Sequence, residues 1–79
     1  MTPVEPREAV LRVLGDAEEP LHWTVVLDRA LRGGLLDPFE VHDVRGTVQR
    51  ALAGLGRDGL ARTVSTGVWE LSPEGRSGS

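Results

Sequence analysis

Residues 43–71 read DVRGTVQRALAGLGRDGLARTVSTGVWEL, and the spacing of their apolar side chains changes midway from helical to strand-like. In the first half the apolar residues recur every three or four positions, as on one face of a helix: Val44, Val48, Ala51, Leu52 and Leu55. This pattern predicts a helix over 43–58. Asp43 has the chemistry of an N-cap, and Gly59 lies where a helix C-terminus favours glycine.

The second half of the stretch predicts a β-hairpin. Residues 60–64 and 68–71 contain strand-forming side chains, among them Trp69. Gly67 lies between these two runs and supplies the positive φ that a tight turn needs. Because a two-stranded hairpin is only marginally stable in water, we expect its inward face to cover the helices.

Two further helices are predicted upstream. The first covers 6–14, since Pro6 suits a first helical turn, and we expect it to close at Gly15. The second covers 23–32 and stops at the glycine pair 33–34.

The segment between these two helices raises two further expectations. Either His22 or Thr24 could cap the second helix, and threonine is the better capping residue by type. Leu21 precedes them in a short extended stretch and could add a third strand to the hairpin.

The apolar faces of these elements also predict the hydrophobic core. A chain of 79 residues buries only about 60% of its unfolded surface, so this core must be thin. The predicted core residues are Val10, Val13, Leu14, Leu27, Leu31, Val48, Leu52, Leu55, Leu60, Trp69 and Leu71.

The order helix, short strand, helix, helix, hairpin predicts an α+β fold. This order of elements is that of a small winged helix-turn-helix with three helices and a short β-hairpin wing, and we expect it to cover residues 1–73. Residues 74–79, EGRSGS, are predicted to form a flexible tail or linker.

The chain resembles the HARE-type winged helix family, which includes the N-terminal domain of the RNA polymerase delta subunit. The resemblance spans roughly residues 6–72 and is carried by PLHW at 20–23, ALRGGLL at 30–36, VQRAL at 48–52 and GVWEL at 67–71. The segment leading into the third helix, DPFEVHD at 37–43, is more acidic than the Gly-Lys-Thr-Pro-like segment often found in the family. The resemblance implies a module that binds DNA or docks onto a protein such as a polymerase.

Composition argues against several other classes of protein. There is no cysteine, so disulfides and thiolate zinc sites are excluded, and two histidines in separate segments do not predict a metal site. No motif of a catalytic nucleophile or a phosphate-binding loop is present, so we expect neither an enzyme nor a cofactor. No apolar run approaches a membrane span and no secretory signal pattern occurs, which predicts a cytoplasmic protein without membrane contact.

The charges are unevenly distributed along the chain. Residues 1–40 hold four arginines against eight carboxylates, a net charge of −4, whereas residues 44–69 hold four arginines against one carboxylate, a net charge of +3. Such asymmetry can mark a surface that faces a polyanion, although small domains also acquire it by chance.

The predicted third helix and wing supply the candidate contacts to DNA. Arginine and glutamine read base edges in the major groove, while arginine and hydroxyl groups suit phosphates. The candidate nucleic-acid-binding residues are Arg45, Gln49, Arg50, Arg57, Arg62 and Thr66. Double-stranded DNA is therefore the first hypothesis for the partner.

The alternative hypothesis is a protein partner that docks without DNA. The net charge of −3 favours it, as do the apolar Leu11 and Val25, which are expected on the outer helix faces. The two tryptophans could form a ligand cage, but filling the core is the simpler expectation for such large side chains in a small domain.

Overall fold

The computed structural model describes residues 4–39 and 42–73 of the chain. The described part contains three helices and three short strands, in the predicted order. They are α1 (Pro6–Asp16), β1 (Leu21–His22), α2 (Trp23–Arg32), α3 (Val44–Arg57), β2 (Ala61–Ser65) and β3 (Val68–Leu71). The α+β winged helix layout predicted from the sequence is confirmed. The predicted tail at 74–79 lies outside the described residues.

The strands form one antiparallel sheet in the order β1-β3-β2. Leu21 of β1 pairs with Trp69, and Thr63 of β2 pairs with Trp69 from the other side. The third strand expected from Leu21 is therefore present, and it makes β3 the central strand. A register shift between Thr63 and Ser65 bends β2 just before the turn.

The predicted bounds of α2 are confirmed, whereas the predicted end of α1 is wrong. Helix α1 does not close at Gly15 but continues to Asp16, and the chain turns extended at Ala17, whose backbone N–H donates to Leu14. Ala17 is 6% exposed, so burial of its methyl group in the core sets the exit. The cap of α2 is His22 and not Thr24: the His22 side chain accepts a hydrogen bond from the Thr24 backbone N–H.

The predicted ends of α3 are confirmed. The Asp43 carboxylate caps the helix by accepting the Gly46 backbone N–H at 3.0 Å. At the other end Gly59 has a φ of +77°, and the following Leu60 N–H returns to the Leu55 carbonyl at 2.9 Å. This glycine-terminated exit turns the chain from α3 toward the sheet.

The core lies between α1, α2, α3 and the inner face of the sheet. Of the predicted core residues, Leu27, Leu31, Leu60 and Trp69 are half-buried against it, and the other seven are buried. The predicted core list omits two residues of α2, Val26 and Ala30, which are both 0% exposed. Leu36, at 3% exposed, anchors the connection that follows α2.

Gly46 has a specific role in the α3 cap, which a substitution can test. A Cβ at this position would collide with the capping Asp43 carboxylate, whose Cγ lies 2.9 Å away. We therefore expect Gly46→Ala to lose the cap, worth about 0.5–2 kcal/mol, and so to cancel or exceed the usual gain from replacing a helical glycine.

Gly54 provides the matched control on the same helix. A Cβ there would meet only the ends of two arginine side chains, at 3.8 Å and 4.0 Å. Gly54→Ala is expected to raise the free energy of unfolding by about 0.5–1 kcal/mol in denaturant melts. Equal stabilisation by both substitutions would contradict the assigned cap, and Gly46→Ala should become stabilising once Asp43→Ala has removed the carboxylate.

Candidate nucleic-acid interface

The outward face of α3 carries four of the six candidate residues. Arg45, Gln49, Arg50 and Arg57 are all exposed, while Val48, Leu52 and Leu55 hold the opposite face in the core. The Arg50 guanidinium donates to the Thr47 hydroxyl at 3.3 Å, within the same helix. The fold thus presents three arginines and a glutamine together on one solvent-facing surface, which we call the α3 face.

Ion pairs distinguish these arginines from most of the others. In the described part of the chain four arginines pair with carboxylates: Arg7 with Asp58, Arg12 with Glu8, Arg32 with Asp28 and Arg62 with Glu70. The arginines that form no ion pair with any described carboxylate are Arg29, Arg45, Arg50 and Arg57. Three of these four belong to the α3 face, so that face carries three guanidinium groups that are in no ion pair with a described carboxylate.

The other two candidate residues lie on the hairpin. Arg62 is exposed on β2, but its Nε donates to Glu70 Oε2 at 2.7 Å across the β2–β3 pair. Its charge is therefore balanced within the sheet. Thr66 is exposed in the turn beside Gly67, whose φ is +75° as predicted.

The hairpin turn is fixed to the beginning of α2. The Trp23 backbone N–H donates to the Gly67 carbonyl at 2.9 Å. A Cβ at Gly67 would lie 2.9 Å from the His22 ring and 3.4 Å from Trp23, so only glycine fits here. These contacts fix the position of the wing relative to the beginning of α2.

A pocket lies beside the α3 face, where the sequence offered a cage of the two tryptophans only as the less favoured alternative. It has a volume of about 270 Å³ and is lined by Trp23, Gln49, Leu52, Thr63, Gly67 and Trp69. Both tryptophans are half-buried, so they fill the edge of the core and also form the wall of the pocket.

Two features of the fold shape this pocket. Thr63 and Trp69 are cross-strand partners, which places them side by side on the sheet. Gly56 leaves room for the Trp69 ring to reach α3, since a Cβ there would lie 3.3 Å from Trp69 Cζ3. The pairing register was the missing information, because it depends on the bulge in β2.

The described residues form neither a metal site nor a membrane-spanning helix. Within 4–39 and 42–73 no three side chains of the histidine, cysteine, aspartate or glutamate type come together to hold a metal ion. No helix in the same segments has the length and apolar character to cross a membrane.

Scans against models of protein families, curated proteins and solved structures found no match to this chain. A function must therefore be inferred from the geometry and chemistry of the α3 face and its neighbouring pocket.

Proposed function

We propose that this chain is a DNA-binding winged helix module of the HARE type, acting in the cytoplasm as the regulatory or targeting part of a larger system. The observation that carries the proposal is the α3 face, where Arg45, Arg50 and Arg57 have no described carboxylate partner. Guanidinium groups on the exposed side of such a helix match the phosphates and base edges of a major groove.

The proposed mechanism is binding without catalysis. Helix α3 enters the major groove, where Gln49 contacts base edges while Arg45, Arg50 and Arg57 contact phosphates. Thr66, in the turn of the hairpin wing, donates a hydrogen bond from its hydroxyl to a DNA phosphate. Arg62 contributes less than the α3 arginines, because it would have to leave Glu70 before it could bind a phosphate.

A salt titration tests this proposal. Three arginines that are free to bind phosphates predict that log K falls with log salt with a slope of about −3 on B-form duplexes. The net charge of −3 opposes binding, so we expect a dissociation constant of about 10⁻⁴–10⁻⁶ M at physiological salt. Fluorescence anisotropy of a labelled duplex at several salt concentrations measures both quantities. Undetectable binding at low salt would overturn the proposal.

A second candidate function is docking to a protein. It is favoured by large apolar side chains that the fold leaves in solvent: Phe39 at 95%, Val64 at 49% and Val25 at 37% exposed. These residues lie in the loop after α2, on β2 and on α2, so none of them belongs to the α3 face. If Phe39→Ser abolishes binding of a partner protein while duplex binding stays absent, this second function replaces the first.

A further inference from the structure

We propose that the pocket between α2, α3 and the hairpin receives a single unpaired nucleobase, with adenine as the base that fits its polar groups best. This inference deepens the proposed DNA binding, on which it depends for the phosphate contacts. It assigns a ligand to Trp23, Trp69 and Thr63, which major-groove insertion alone does not use. Where an unpaired base is present, Gln49 contacts that base in the pocket and not a base edge in the groove.

The lining of the pocket has the chemistry that a nucleobase requires. The two half-buried indoles offer aromatic surface, and stacking on aromatic side chains is how proteins hold unpaired bases. Gln49 brings an amide with donors and an acceptor, a group that pairs with adenine through two hydrogen bonds. The Thr63 hydroxyl can donate or accept on the opposite wall.

The size of the pocket restricts the ligand. Its volume of about 270 Å³ is below the range of about 300–1,000 Å³ that is usual for drug-sized ligands. One planar ring system fits this space better than an extended ligand does, and the sugar and phosphate would remain outside.

The surrounding charge favours a base that is attached to a phosphate backbone. Arg45 is four residues before Gln49, so both lie on the same flank of α3. Arg45 has no described ion-pair partner, and the nearby strand pair Arg62–Glu70 is internally neutral. A nucleic acid strand can therefore place a phosphate at Arg45 and its base in the pocket.

Intrinsic fluorescence provides a direct test. The chain has two tryptophans and no tyrosine, and both tryptophans line the pocket, so the emission reports on this site alone. The probes are a duplex with one bulged adenine, the same duplex with an abasic bulge, the fully paired duplex, and free adenosine. We expect the bulged adenine to quench the emission and to bind about 5- to 100-fold more tightly than the abasic bulge.

Two substitutions on β2 locate the effect. Thr63→Phe places a ring in the pocket and should reduce the preference for adenine over the abasic bulge to about one. Val64→Phe adds the same side chain at the next position, which does not line the pocket, and should leave the preference intact. Thermal melts verify that both variants fold.

Each remaining outcome is decisive. Equal binding of both bulges by the wild type, or a preference that survives Thr63→Phe, overturns the pocket inference while duplex binding by α3 still stands. Quenching by adenosine without binding of any duplex supports the pocket and overturns the proposed function. Quenching by an apolar peptide but not by adenine reassigns the pocket to a protein partner and overturns the inference.

Discussion

Replacing Leu52 with alanine is expected to lower the free energy of unfolding by about 2–5 kcal/mol. Leu52 is 0% exposed at the centre of α3, within the core cluster that joins the helices to the sheet. Removing its branched side chain loses the transfer free energy of the buried carbons and leaves a cavity. Small domains are stable by only about 5–15 kcal/mol, so this single substitution removes a large part of the stability of the fold.

Chemical denaturation followed by tryptophan fluorescence measures this loss. The matched control is Val64→Ala, because Val64 is an apolar residue that is 49% exposed. Its substitution is expected to change the free energy of unfolding by no more than about 0.5 kcal/mol. A loss of that small size at Leu52 would mean that α3 is rotated about its axis and that a different face meets the core.

Reversing the charge of Arg50 is expected to reduce duplex affinity at least about tenfold. Arg50 lies at the exposed centre of the α3 face, without an ion pair to any described carboxylate. Arg50→Glu removes one favourable contact and places a carboxylate against the phosphates. Since binding depends on three guanidinium groups, loss of one also makes the salt dependence shallower by about one unit of slope.

Arg29→Glu is the matched control, because it makes the same charge change on an exposed arginine without a described ion pair. Arg29 lies on α2, outside the α3 face, so only long-range attraction should weaken. Duplex titrations of wild type and both variants at two salt concentrations give the comparison. Equal losses from the two substitutions would indicate non-specific attraction and would remove α3 from the proposed groove.

Local chemistry made much of the fold predictable. The Asp43 cap, the Gly59 exit and the Gly67 turn each follow from residue types that suit one backbone geometry, and all three are present. The helical periodicity of α3 is by itself enough to assign Val48 and Leu52 to the core, where both are 0% exposed.

The errors arise where tertiary contacts decide. His22 caps α2 because the same residue is held in β1 beside the hairpin turn, a contact that intrinsic capping preference does not include. Helix α1 continues past Gly15, and the chain leaves it at Ala17, which is buried in the core.

The same distinction between local and tertiary information separates the α3 face, which could be predicted from the sequence, from the pocket, which could not. Positions along one helix fix which arginines share a face, so Arg45, Arg50 and Arg57 could be grouped from the sequence. The pocket needs residues of three elements that are far apart in the chain. Its walls are set by the bulge in β2 and by the Gly56–Trp69 approach, neither of which a local pattern encodes.

The central position of β3 has a consequence for how the chain acquires its structure during synthesis. Both neighbours of β3, at residues 21–22 and 61–65, precede it in the chain. Neither edge strand can pair until residues 68–71 have left the ribosome. Until then the sheet does not cover the apolar sides of the helices. The sheet can therefore form only after residues 68–71 have emerged, and a nascent chain stalled before Val68 should remain protease-sensitive and a target for chaperones.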